Sequence, residues 1–215
     1  IGAEVVRVAA ARGHGVRALS RSGGIDVLEG RGLENALRGS DAVVDVLSIS
    51  TLSASKSIEF FEKTTAQLLD AERRAHIGHH LALSIVGVDR APYDYYAGKV
   101  AQEPAVEAGG VPWTILRATQ FHDFAVQMFH RMAFGPVHPV ITAHVQPIAT
   151  TELAERIIDL VERGPSGRAT DLAGPRREEL GAMMRAWARH TGRRAWMPRI
   201  LLPGAFVSFQ ATLGE

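Results

Sequence analysis

Tyr95 and Lys99, in the run Asp-Tyr-Tyr-Ala-Gly-Lys at residues 94–99, are the side chains best placed to do chemistry. Four residues apart on a helix, they share a face. A phenol with an ordinary pKa of about 10 exchanges protons poorly at neutral pH until a nearby ammonium stabilises its phenolate. Asp94 is expected to be the N-cap, which would put Tyr95 in the first helical turn. Ser84, toward the end of the apolar run HHLALSIVGV, offers a hydroxyl that could hydrogen-bond a substrate carbonyl. Tyr-x-x-x-Lys also recurs by chance on solvated helix faces, so the surrounding elements decide its meaning.

Those elements alternate between two periods. Val5, Val8 and Ala9 recur at helical spacing and Gly13 ends that helix. HGVRALSR (14–21) reads as a short strand and LENALRG (33–39) as a short helix. DAVVDVLSIS (41–50) and HHLALSIVGV (79–88) are continuous apolar runs expected of strands buried on both faces. Between them Ile58, Phe61, Thr65, Leu68, Leu69 and Glu72 mark one stripe of a longer helix. The helix beginning at Tyr95 contains Pro104, a candidate kink. Then follow VPWTILRAT as strand, FHDFAVQMFHRMAF as helix, VQPIAT as strand, TELAERIIDLVERG as helix and ATDLAGP as strand. Leu180, Met183, Met184 and Trp187 mark the last long helix. Alternation throughout predicts an α/β, doubly wound (Rossmann) parallel sheet with right-handed crossovers and helices on both faces.

In such a sheet a ligand lies across the carboxyl ends of the strands. Leu47 and Ser48 end one strand, and Ser84, Ile85 and Val86 end the next. The aliphatic members serve equally as core. A glycine-rich turn before the first helix normally admits a pyrophosphate to the backbone N–H groups, and Gly2 is placed to be its last glycine. Arg21, flanked by Ser20 and Ser22, closes the strand that reaches an adenosine ribose. A carboxylate there suits the ribose hydroxyls of NAD, whereas an Arg suits the 2′-phosphate of NADP.

The stretch HHLALSIVGVDRAPYDYYAGKVAQEPAVEAGGVPWTILRATQFHDF resembles the NmrA-like, NAD(P)-binding group of atypical short-chain dehydrogenase/reductases. VRALSRS, DAVVDVLS, VQPIAT and DLAGP support it in the same order, over nearly the whole chain. The resemblance implies one NAD(P)-binding domain over residues 1–215, with 120–147 and 174–215 contributing a smaller substrate-facing lobe. It implies that Ser84, Tyr95 and Lys99 take the Ser, Tyr and Lys roles of reductase chemistry. Tyr95 would protonate the carbonyl oxygen, and Lys99 would hold the nicotinamide ribose and lower the Tyr pKa. Thr119, Gln120 and Phe121, in RATQF, match the loop beside the nicotinamide; Arg117 is equally an ion-pair partner. Members of the group begin with a strand and a Gly-x-x-Gly-x-x-Gly turn, of which the opening Ile-Gly resembles the end. The expectation is that this strand and a mobile phosphate loop are disordered rather than deleted. The tail FVSFQATLGE is shorter than the usual C-terminal segment, with a join expected at Gln210–Ala211.

Composition narrows the classes. Net charge is +1, giving no field for nucleic acid or an anionic membrane, and no apolar run approaches the roughly 20 residues of a membrane span. With no cysteine, disulfides, thiolate metal sites and a thiol nucleophile are excluded. His79 and His80 are adjacent and should face opposite sides of a strand, and there is no Gly-x-Ser-x-Gly motif. His122 and Asp123 are neighbours that would diverge on a helix. A metal-free, cytoplasmic protein acting on a small molecule is expected. Its leading function is an NADP(H)-preferring oxidoreductase acting on a small carbonyl compound or quinone. A non-catalytic NADP-sensing regulator with a protein partner is the alternative, and a sugar-nucleotide epimerase or dehydratase a third reading.

Overall fold

The computed structural model describes residues 1–200; residues 201–215, including Gln210–Ala211, lie outside the described residues. In chain order the elements are α1 (Gly2–Ala11), α2 (Leu33–Leu37), β1 (Ala42–Asp45), α3 (Ala54–Ala75), β2 (His79–Ile85), α4 (Asp94–Ala108), β3 (Trp113–Ala118), α5 (Asp123–Arg131), β4 (Val140–Ile141), β5 (His144–Val145), α6 (Thr150–Arg163), β6 (Gly167–Arg168), β7 (Glu178–Glu179), α7 (Leu180–His190) and β8 (Arg199–Ile200). Two compact units result: Ile1–Ala118 with Thr151–Leu172, and Thr119–Thr150 with the described residues from Ala173.

The first unit is built on a parallel sheet in the order β1-β2-β3-β6. Its centre, β2, is buried on both sides because helices cover both. Adjacent strand residues point to opposite faces, and the histidine pair shows it. His80 Nδ1 donates to the buried Glu72 carboxylate of α3 at 2.8 and 3.0 Å. His79 Nε2 instead shares a 2.8 Å bond with Thr114 Oγ1, on the side of Val161 in α6. On that second face α1 is tied to α6 by Arg12, 2.7 Å from Asp159 and 3.1 Å from Glu162, and by Thr151 Oγ1 donating to Glu4.

On the first face α3 and α4 pack closely because α4 presents Gly98. A Cβ there would lie 2.5 Å from Phe61 Cδ2 and from the Ser57 carbonyl, and would overlap Ser57 Oγ. The Ser57 hydroxyl meanwhile donates to the Tyr95 carbonyl at 2.7 Å. Helix α4 continues through Pro104.

Four expectations are corrected. Residues 14–20 form no strand, since a strand exists only through its ladder and none of the described strands pairs with them. Arg17 reaches the carbonyls of Ala36 and Arg38 instead, and Leu19 packs beside Val27, Leu33 and Leu37. ATDLAGP is likewise no continuous strand: pairing is confined to Gly167–Arg168 and a single bridge from Leu172 to Ala118. In VQPIAT only Val145 belongs to a strand, while Ile148 makes one bridge to Phe121. The N-cap of α4 is Tyr93, not Asp94, which begins the helix at φ 48° in the left-handed region that Asp tolerates, with no side-chain cap.

The second unit has its own core, in which Phe129 of α5 and Leu180 and Met184 of α7 surround Val140 and Ile141. Two small sheets serve it, β4 parallel with β8 and β5 antiparallel with β7.

Candidate functional site

Parallel strands in register bring their carboxyl ends together along one edge. Val44 and Asp45 lie opposite Leu81 and Ala82, and Ser84 lies opposite Arg117. Beyond β1 the chain turns at Leu47, whose N–H donates to Asp45 Oδ1 at 2.9 Å, and exposes Ser48. Beyond β2 the Val86 N–H donates to the Ala118 carbonyl at 3.1 Å, while Ile85 and Val86 stay half-buried.

Tyr95 is brought to this edge by α4. Its hydroxyl shares a 3.3 Å hydrogen bond with Ser48 Oγ, and its ring packs edge-on to Phe61 and Tyr96. Burial pushes the Tyr95 phenol up, the Ser48 bond opposes this, and the Asp45 charge adds to the rise. Burial, with Tyr95 as neighbour, pushes Tyr96 to about 12. Both phenols therefore stay protonated at neutral pH, and the expected lowering of the Tyr95 pKa by Lys99 is not met, because burial dominates and the ammonium is given to Leu83 and Gln102.

Lys99, one turn on, is only 3% exposed. Its Nζ donates to the Leu83 carbonyl and to Gln102 Oε1, each at 2.8 Å, and lies 4.3 Å from the centre of the Phe61 ring. Burial lowers its pKa to about 8, opposed by the charges of Asp45 and Glu103. The Gln102 amide in turn donates to Asp45 Oδ2 at 2.8 Å. Tyr95 and Lys99 thus occupy one helix face, but each has different polar partners.

Ser84 belongs to another network. Its Oγ donates to Glu103 Oε1 at 2.6 Å. Arg117 clamps the same carboxylate through Nε (2.9 Å) and Nη2 (2.7 Å), and Arg168 adds a 2.7 Å contact. Burial opposes ionisation of Glu103, but bonds from Arg117, Ser84 and Arg168 outweigh it and hold the carboxyl below its ordinary range. Sequence reasoning singled out neither Glu103 nor Arg168, nor the Asp45–Gln102 pair. The one available signal for Glu103 was a charged residue on the buried side of α4, an anomaly that demands a partner.

At the far end, Gly2 begins α1, where the first N–H groups of a helix lack internal acceptors. A Cβ on Gly2 would sit 3.6 Å from Val46, so protein packing alone does not demand glycine there. Arg21 sits in an exposed turn, Arg21–Gly23, capped by Ser20 Oγ accepting from Gly23 N–H at 3.2 Å. Ser20 and Ser22 share a 3.0 Å bond, whereas the Arg21 guanidinium makes no hydrogen bond or ion pair among the described residues. A guanidinium without a side-chain partner among the described residues and a helix N-terminus are each donors of the kind that phosphates accept from.

In the second unit Thr119 Oγ1 donates to the Gln146 carbonyl at 2.6 Å, and Phe121 is half-buried. Gln120 is buried with neither amide atom hydrogen-bonded. His122 and Asp123 are exposed at the start of α5. Among the described residues no cluster of His, Asp and Glu could hold a metal ion, and no helix is long and apolar enough to cross a membrane.

No curated protein matches the sequence. The fold is similar to that of WbmH from Bordetella bronchiseptica in complex with NAD+, at 13% identity over 94% of this chain and 82% of that one, with a TM-score of 0.68. It is also similar to UDP-glucose 4-epimerase from Bifidobacterium longum in complex with NAD+ and UDP (14% identity, 94% and 75% covered, TM-score 0.67). A third is the NADPH-dependent quinone oxidoreductase of Escherichia coli complexed with NADPH (17% identity, 92% and 65% covered, TM-score 0.62). These likenesses confirm the Rossmann-like α/β fold. A family model described as NAD(P)H-binding matches residues 1–163, and the chain accordingly belongs to the NAD(P)H-binding family.

Proposed function

We propose that the protein is an NADP(H)-dependent oxidoreductase acting on a small carbonyl compound or quinone. The observation that carries this reading is the protonated, half-buried Tyr95 one turn from the buried Lys99 ammonium, at the carboxyl edge of the sheet. The bound nicotinamide supplies or accepts the hydride. The chain's residues bind and orient it and manage the proton. Arg21, with Ser20 and Ser22, takes the 2′-phosphate, and Gly2 with the first turn of α1 takes the pyrophosphate. Leu47, Ser48, Ile85 and Val86 line the dinucleotide, and Lys99 holds the nicotinamide ribose. Tyr95 donates its phenolic proton to the substrate oxygen, and the Ser48 bond orients the hydroxyl. Thr119, Gln120 and Phe121 are assigned to cofactor or substrate by the resemblance. Of these Gln120 has hydrogen-bonding capacity to spare. An NADPH-dependent quinone oxidoreductase is among the similar folds, as are complexes with NAD+, so the preference for NADP rests on Arg21.

One observation favours a second reading, a regulator that binds NADP without turnover. Ser84 is committed to Glu103 and so is not free to polarise a carbonyl. Consumption of NADPH against quinones, aldehydes and ketones separates the two. Turnover of any member supports the enzyme. Tight NADPH binding with no turnover across the panel establishes the sensor.

A further inference from the structure

Lys99, Gln102 and Asp45 form an unbroken buried chain, respectively 3%, 1% and 2% exposed. An ammonium can only donate hydrogen bonds and a carboxylate can only accept them. A carboxamide between the two is therefore satisfied in one orientation alone, with oxygen to Lys99 and NH2 to Asp45, and both contacts are 2.8 Å. The other Asp45 oxygen is taken by the Leu47 N–H, beside Ser48. Among the described residues the ammonium's oxygen acceptors are Leu83 O and Gln102 Oε1, which leaves one N–H not given to an oxygen, with the Phe61 ring centre 4.3 Å from Nζ. As a device for stability this is a poor choice, because desolvating charges costs more than filling the same volume with apolar side chains. It suits a site that must keep one donor aimed and charged.

We propose that Asp45, acting through the Gln102 carboxamide, positions the Lys99 ammonium, making Asp45 and Gln102 positioning residues of the site. The inference rests on the assignment of Lys99 to the cofactor. The titratable groups around Lys99 are Asp45 from β1, Glu72 (through His80) from α3, His80 from β2, and Tyr95 and Glu103 from α4. Of these, Asp45 is the largest charge keeping Lys99 protonated against burial, followed by Glu103. Removing the Asp45 charge should lower the pH at which the ammonium loses its proton, and removing the Gln102 bridge should do the same less strongly.

The chain contains three lysines, Lys56, Lys63 and Lys99, so side-chain resonances of lysine-labelled full-length protein give a direct titration without cofactor. Asp45→Asn should move the Lys99 midpoint down by about one unit or more, leaving those of Lys56 and Lys63 in place. Gln102→Met, which keeps the volume but cannot bridge, should move it in the same direction and decides the matter if Asp45→Asn does not fold. A Lys99 midpoint unchanged in the folded variants overturns the proposal. NADPH dissociation constants over the same pH range are the second readout, and the alkaline loss of affinity should shift with the Lys99 midpoint. If the midpoint moves and NADPH affinity does not follow, Asp45 and Gln102 still position Lys99, and the assignment of Lys99 to the cofactor falls.

Discussion

The Ser84 hydroxyl donates to Glu103 Oε1 at 2.6 Å, the carboxylate oxygen that also accepts from Arg117 Nε at 2.9 Å. Two polar systems therefore meet on α4: one gathered on Glu103, the other running from Lys99 to Asp45. The first ties β2, β3, β6 and α4 together, and the second reaches the open edge of the sheet.

Glu103→Ala should destabilise the fold by about 3 kcal/mol, since it leaves the half-buried Arg117 with only a 3.3 Å contact to the exposed Asp89. Arg168 can rehydrate, being nearly half exposed, which keeps the loss at the lower end of the range for broken buried pairs. Urea unfolding measures it. Because the folded carboxyl titrates below the unfolded one, its contribution is complete above the ordinary Glu value of about 4.3 and disappears as pH falls through the folded pKa. Glu103→Gln should flatten that acid limb of stability against pH.

Arg21→Ala should weaken NADPH binding about ten- to a hundredfold, the worth of a charge-assisted phosphate contact, and leave NADH nearly unchanged. Calorimetric titration of both cofactors tests it. Equal losses for both would assign Arg21 to the fold.

Tyr95→Phe removes one oxygen and the Ser48 bond. With Tyr95 as proton donor, turnover should fall by about 10²–10⁴ while NADPH affinity stays near wild type. Steady-state kinetics on any substrate from the panel, beside a binding titration, checks the split. Full activity would remove Tyr95 from the mechanism.

Gly98→Ala should force α3 and α4 apart, since its Cβ would strike Ser57 and Phe61. Overpacking of this kind costs about 1–3 kcal/mol. Lower NADPH affinity should accompany the loss, because Phe61 also packs against Lys99. Thermal melts with and without NADPH provide both numbers.

The central strands were legible in sequence because burial on both faces leaves a continuous apolar run, as in LALSI and WTIL. The edges were not. VRALSR has the composition of a strand, yet strand formation is settled by a neighbour's ladder rather than by its own residues. The Tyr95–Lys99 spacing was readable because helical period is local. The partners of Lys99 were hidden: Asp45 and Gln102 lie 57 positions apart, and a single bond across that distance leaves no periodic trace. Asp94 misled for a related reason, since its composition favours a cap while the turn through Ala91, Pro92 and Tyr93 sets where the helix begins.

Arg21 stands outside both buried systems, on an exposed turn held by its serine neighbours, its guanidinium without a partner among the described residues. A substitution there strands no buried charge and opens no cavity. Under the proposed role, the choice between two cofactors is separated from the stability of the fold. One codon change could then carry a lineage from one nucleotide pool to the other with its core intact, whereas a change at Asp45 or Glu103 would need a compensating change elsewhere.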